Sequence, residues 1–268
     1  MNGLRAVVTG AGSGLGRAFA EVLAQKKGKI LVSDVDLAGA EATATSVRAL
    51  GGEAEVLRCD VRNAEEVEAL AKHMEARFGG TDLVVNNAGV AVSGLVGDVA
   101  LEDWRWIVDI NLMGVIHGCH SFVPRFRAAK KGYIINVASA AGLVYFPTMG
   151  PYNATKAAVV ALSESLHAEL AGSGVHVTVL CPTFFQTNIA NAGRGTSQEK
   201  DLIEVKERMQ KSRVQAPEVA TAALEAVLKN RVFCVPMMDG RWAWRLKRAL
   251  PGLFPGLLAA VERRRRAT

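Results

Sequence analysis

The sequence predicts a single doubly wound α/β domain with a seven-stranded parallel sheet and helices on both faces. Three observations carry this prediction. Short β-branched runs alternate with helical patterns, the first four runs are apolar at nearly every position, and a glycine-rich stretch links the first run to the first helical pattern. Strands separated by helices of this length form right-handed parallel units, and a sheet covered on both sides has no need of a polar face.

The strand-like runs are 4–10, 29–34, 54–60, 82–89, 132–139, 175–182 and 231–236. Between them lie helical patterns at 15–27, 37–50, 63–78, 102–128, 151–172 and 217–229. No internal repeat or low-complexity linker divides the series, so residues 1–240 are expected to form one domain. The polar, glycine-containing segment 186–216 follows the sixth run and is expected to act as a flap over the C-terminal strand ends. Residues 241–268 form a separate tail.

Composition narrows the function classes. Half of the 268 residues are apolar, yet no run is long enough to span a bilayer. The opening residues lack a cationic start followed by a long apolar stretch, so a cytoplasmic protein is expected. Cys59, Cys119, Cys181 and Cys234 are far apart and read as reduced, buried thiols rather than a disulfide or zinc framework. His117 and His120 lie on one predicted helix without a third ligand, so no metal site is expected. The net charge of +6 is concentrated in the tail: residues 241–268 carry eight Lys/Arg and one acid, which leaves −1 for residues 1–240. The high pI therefore belongs to the tail and is no sign of a nucleic-acid-binding body, and no nucleic-acid partner is expected.

The glycine stretch, "TGAGSGLG" from Thr9 to Gly16, fails the G-x-G-x-x-G pattern, because Leu15 or Arg17 falls where the third glycine belongs. It fits G-x-x-x-G-x-G through Gly10, Gly14 and Gly16. Between a strand and a helix, such a loop lets the backbone approach a phosphate at the helix N-terminus. Asp34 ends the second run, 20 residues beyond Gly14, where a carboxylate can accept hydrogen bonds from ribose hydroxyls. It would repel a 2′-phosphate, and neither Ser13 nor Val35 supplies a cation to receive one, so NAD is favoured over NADP.

The catalytic candidates lie in the second half. "YNATK" sets Tyr152 and Lys156 four apart on one helix face. A phenol holds its proton near pH 10, and an ammonium one turn away is expected to favour the phenolate. Ser139 ends the fifth run and can reach the same place as a hydrogen-bond donor.

Together these residues resemble the short-chain dehydrogenase/reductase family over nearly the whole chain to about residue 236. The matching motifs are "TGAGSGLG", "CDV" at 59–61, "NNAG" at 86–89, Asn111 in "DINLMG", Ser139 in "NVAS", "YNATK", and "PTFFQT" at 182–187. The resemblance implies a Rossmann fold and an NAD-dependent oxidoreductase that interconverts a secondary alcohol and a ketone. It makes Tyr152 the general acid/base and Lys156 the group that lowers its pKa and binds the nicotinamide ribose. Ser139 would hydrogen-bond the substrate oxygen, and Asn111 would hold a water linking Lys156 to solvent.

For the cofactor it implies Gly10, Ser13, Gly14, Leu15 and Gly16 at the phosphates. Asp60 and Val61 would lie at adenine, and Asn87, Ala88 and Gly89 along the channel. Phe185 and Thr187 would stand near the nicotinamide. Two positions depart from the family pattern: Thr183 follows Pro182 where glycine is usual, and Phe185 replaces a smaller valine.

The predicted pocket draws on Val92, Leu95, Val144, Phe146, Met149, Phe184 and Phe185, and so suggests a lipophilic substrate such as a steroid, a retinoid or a long-chain alcohol. In the family, the helices at 102–128 and 151–172 pair between subunits, which implies a homodimer or homotetramer. The tail mixes Trp242, Trp244, Leu246, Leu250, Leu253, Phe254, Leu257 and Leu258 with cations, and Pro251 and Pro255 interrupt any long helix. Two readings stand: peripheral contact with an anionic membrane, or packing on the body or a partner subunit. An alternative function is a non-catalytic NAD-binding regulatory protein recruited to a membrane or partner by this tail.

Overall fold

Alternation of side chains along the apolar runs lets each strand feed two cores at once. In β1 (Arg5–Thr9), Val7 faces one side of the sheet, while Ala6 and Val8 face the other. The computed structural model describes residues 2–187, 189, 193–196, 203 and 207–266. Its main sheet has the order β3-β2-β1-β4-β6-β7-β9, all parallel. The strands are β2 (Lys29–Asp34), β3 (Glu53–Arg58), β4 (Leu83–Asn86), β6 (Gly132–Val137), β7 (Val175–Leu180) and β9 (Phe233–Cys234). This is the expected seven-stranded doubly wound sheet.

Helices α1 (Gly14–Ala24), α2 (Leu37–Ala49) and α7 (Ala216–Leu228) cover one face. Helices α3 (Ala64–Phe78), α5 (Gly114–Ala129) and α6 (Gly150–Glu169) cover the other. The chain leaves β1 towards β2 on one side and returns through β4 on the other, so a crevice opens between the C-terminal ends of β1 and β4.

The helical pattern at 102–128 is realised as α4 (Leu101–Val108), a π-helical turn (Asp109–Met113) and α5 in direct succession. The wider turn carries Asn111, fully buried. After the sixth sheet strand, the chain forms β8 (Arg194–Gly195), which pairs with β5 (Val92–Ser93) in a small parallel sheet. The Arg194 guanidinium stacks 4.1 Å from the Trp106 ring centre, tying this part of the expected flap to α4. Residues 188, 190–192, 197–202 and 204–206 of the flap lie outside the described residues.

The tail folds into α8 (Met238–Ala249) and α9 (Phe254–Arg266), so the 240/241 division falls inside a helix. Pro251 follows the end of α8 and Pro255 sits at the start of α9, where a missing N–H does no harm. The inner side packs on the body. Trp244 meets Phe233 with ring centres 4.7 Å apart, and Phe254 is buried with the α3/α5/α6 core. Among the described residues, no helix is long and apolar enough to cross a membrane.

Candidate active site

The glycine stretch becomes a tight turn wedged between two strand ends. Gly10 has φ +63°, and a β-carbon there would stand 2.7 Å from the Ala88 Cα. A β-carbon at Gly16 would collide with the Gly10 carbonyl. Both positions therefore require glycine, for conformation at one and for close approach at the other. Ser13 caps α1 in extended conformation without spending its hydroxyl on the cap, and the first turn holds no acid, so the positive helix end is left open. Leu15 turns into the core.

Asn87 fastens this turn to β4. Its Nδ2 donates to the carbonyls of Thr9 (2.8 Å) and Gly10 (3.0 Å). The Thr9 hydroxyl accepts from the backbone N–H groups of Asn87 (3.1 Å) and Ala88 (3.2 Å). Asp34 accepts from Gly12 N at 2.8 Å and Asp36 N at 3.0 Å, so it shapes the loop at the place expected for the ribose. Asp60 is clamped by the Arg62 guanidinium, which holds its carboxyl below the usual range. Val61 is buried, and its carbonyl meets His117 Nδ1 at 2.9 Å, which gives that histidine a structural partner. Among the described residues no group of His, Cys, Asp and Glu could hold a metal.

The cradle fits a dinucleotide: its crowded glycines leave no room for side chains, and α1 aims open N–H groups at the crevice. Thr187 closes it from the far side, its hydroxyl 3.3 Å from where a Gly14 β-carbon would be. Phe185 is buried in the core face it shares with Leu15.

Beside this cradle, α6 presents Tyr152 and Lys156 one turn apart. Lys156 is 2% exposed, and its Nζ donates to the Val137 carbonyl at 2.9 Å, lying 5.7 Å from the centre of the Tyr152 ring. Ser139 caps a 3₁₀ turn at Ala140–Gly142, its Oγ accepting from Ala141 N at 3.1 Å. Asn111 grips the backbone of Val90 at both ends, accepting from its N–H (2.8 Å) and donating to its carbonyl (2.9 Å). A β-carbon at Gly89 would stand 3.3 Å from Asn111 Oδ1 and 3.4 Å from Lys156 Nζ. The fold thus brings Gly89, Asn111, Ser139, Tyr152 and Lys156 to one place.

The electrostatics differ from the sequence expectation in one respect. Burial pushes the Tyr152 phenol up to about 12, opposed by its hydrogen-bonding interaction with Ser139. Burial also pulls Lys156 down to about 8. Desolvation is thus the largest influence on both groups.

Several residues escaped sequence reading. Asn86 Nδ2 donates to Asn136 Oδ1 (2.9 Å), Asn136 Nδ2 to Ser163 Oγ (3.0 Å), and Ser163 Oγ to the Val159 carbonyl (2.7 Å). This buried chain ties β4, β6 and α6 together beneath the site. Asn153 Nδ2, next to Tyr152, donates to the Phe146 carbonyl at 2.7 Å and fixes the 143–147 loop. Of the predicted pocket residues, Val92 packs in a small cluster against Tyr152, Val144 is buried in the core, and Leu95 is exposed.

Comparison with known proteins identifies the family. The protein named "Probable oxidoreductase EphD" of Mycobacterium tuberculosis is 40% identical over 198 residues, 72% of this chain and 33% of that relative. This chain thus spans about a third of the length of that relative. The crystal structure of a short chain dehydrogenase/reductase from Burkholderia phymatum in complex with NAD superposes with a TM-score of 0.89 at 37% identity, covering 94% of this chain and 95% of that one. An alcohol dehydrogenase from Thermococcus sibiricus, complexed with 5-hydroxy-NADP, gives a TM-score of 0.73 at 26% identity, covering 87% of this chain and 95% of that one. The family model described as short chain dehydrogenase matches residues 5–198. With its cradle and its Ser139, Tyr152 and Lys156 cluster on one crevice, the chain belongs to the short-chain dehydrogenase/reductase family of oxidoreductases.

Proposed function

We propose that this chain is an NAD-dependent enzyme that interconverts a secondary alcohol and a ketone. The observation that carries the reading is the convergence of Ser139, Tyr152 and buried Lys156 beside the glycine cradle. Bound there, a nicotinamide cofactor supplies the site that accepts or donates hydride. Tyr152 gives its phenolic proton to the carbonyl oxygen in reduction and takes the hydroxyl proton in oxidation. Ser139 hydrogen-bonds the same oxygen as its charge changes. Lys156 holds positive charge beside the phenol, and Asn111 places a polar side chain behind it for exchange of the proton with solvent.

Asp34 supports NAD over NADP, because its carboxylate borders the place where a 2′-phosphate would sit. Exposed Val96 and Leu95 on one flanking loop and Tyr145 on the other favour a lipophilic substrate. Half-buried Ile110, Leu112 and Ile116 along the π-turn and α5 support a homodimer or homotetramer.

Tyr152→Phe should lower alcohol-dependent NADH formation by at least about a hundredfold, the usual worth of a general acid/base, while NAD binding is kept. Near-normal turnover in that variant would overturn the assignment, and a preference for NADPH would overturn the reading of Asp34. A purely regulatory NAD-binding protein would bind NAD but show no turnover across an alcohol panel.

A further inference from the structure

We infer that α8 and α9 form a docking surface for an anionic membrane, beside the mouth of the catalytic crevice. The two helices have two different sides. The inner side packs on the body through Ala243, Trp244, Phe254 and Leu258. On the outer side Met238, Trp242, Leu246 and Leu250 recur every four residues along α8 and into the turn, and Leu253 and Leu257 follow in the turn and on α9. These six side chains are 41–65% exposed. On α8 the spacing of four sets Met238, Trp242 and Leu246 along one side of the helix, and the six together form an exposed apolar stripe over α8, the turn and α9.

Cations accompany the stripe. Arg245 on α8 and Arg263 and Arg264 on α9 are exposed, while Arg241 donates to the Val235 carbonyl and Arg248 lies over the inner Trp244 ring, 5.5 Å from its centre. The Arg245 guanidinium lies 5.7 Å from the Trp242 ring centre, so charge and aromatic surface are presented together. Asp239 is engaged by the Thr183 hydroxyl at 3.0 Å. With residues 241–268 at +7 and the remainder at −1, the charge selects the occupant. A two-fold contact between copies through this face would set arginines against arginines. An anionic bilayer meets both needs: hydrocarbon for the stripe and headgroups for the arginines.

The position of the surface gives it a consequence for the site. Lys247 Nζ donates to the Leu143 carbonyl at 2.7 Å and lies over the Tyr145 ring, 3.2 Å from its centre. Pro255 and Leu258 line a groove with Tyr145, Phe146 and Pro147, the loop that Asn153 holds next to Tyr152. Docking would therefore bring the loop ahead of the catalytic helix to the bilayer surface.

The test is co-sedimentation of the full chain with vesicles of phosphatidylcholine alone and of phosphatidylcholine with phosphatidylserine. Partitioning should be at least about tenfold higher on the serine-containing vesicles, since each cation near an anionic leaflet contributes about fivefold. Trp242→Glu with Leu246→Glu should reduce it to background. Arg245→Gln with Arg264→Gln should reduce it by about 25-fold, and both variants should keep the wild-type denaturation midpoint. Equal partitioning on both vesicles, no partitioning, or unchanged binding by both variants would overturn the proposal. So would a dimer in solution that Trp242→Glu dissolves, which would mark the stripe as a contact between copies. Sedimentation reads binding without turnover, so failure of the redox assignment leaves this result interpretable.

Discussion

Replacing Lys156 by methionine should reveal the penalty of burying a charge beneath the active site. The lysine is 2% exposed, and burial lowers its pKa from 10.5 to about 8. A shift of that size corresponds to about 3 kcal/mol. Below about pH 8 the folded and unfolded chains both carry the proton, and the full penalty weighs on the wild type. Between the two values the unfolded chain holds more protons, so wild-type stability gains on the variant as pH rises. The lost hydrogen bond to the Val137 carbonyl adds a cost to the variant, about 1–3 kcal/mol, that does not share this pH dependence. Tyr152, pushed the opposite way to about 12, is present in both proteins and largely cancels. Urea denaturation of both proteins from about pH 7 to about pH 10 should show wild type gaining up to about 3 kcal/mol relative to Lys156→Met. A flat difference, or a gain by the variant as pH rises, would refute the reasoning.

Two further predictions concern the frame of the site. Gly10→Ala forces a β-carbon towards Ala88 at positive φ and should destabilise the fold by about 1–3 kcal/mol. Titration of the variant with NADH fluorescence should also show at least about tenfold weaker binding, since the displaced turn no longer offers the cradle. Asn136→Ala removes the middle of the Asn86–Asn136–Ser163 chain and deprives the buried Asn86 Nδ2 of its oxygen acceptor, while Ser163 keeps its bond to the Val159 carbonyl, so a loss of about 1–3 kcal/mol is expected in chemical denaturation. A loss below about 0.5 kcal/mol would show that the chain is not a structural tie.

The sheet was legible because each strand announces itself locally: runs such as "KILVSD" are apolar across both faces, and the helices between them carry their own periodicity. The cradle was legible because its glycines sit between a strand and a helix in fixed order. Asn136 and Ser163 could not be found this way. Their value arises only when β4, β6 and α6 come together, and nothing in local spacing marks a buried amide. The burial of Tyr152 was hidden for a related reason: the four-residue spacing to Lys156 is visible in sequence, whereas the desolvation that raises the phenol's pKa belongs to the packed fold. The tail's alternation of apolar and basic residues was plain, but which side faced inward was decided by Phe233 and the 143–147 loop, both distant in the chain.

The central claim is that Tyr152 serves hydride exchange between an alcohol carbon and a nicotinamide. The most direct measurement supplies secondary alcohols deuterated at the carbinol carbon together with NAD, and follows the label by mass spectrometry of the reduced cofactor. The account predicts deuterium in NADH formed by the wild type and none above background with Tyr152→Phe at equal cofactor occupancy. Wild-type protein that binds NAD yet transfers no label across the panel, or a Tyr152→Phe variant that transfers it at the wild-type rate, would contradict it.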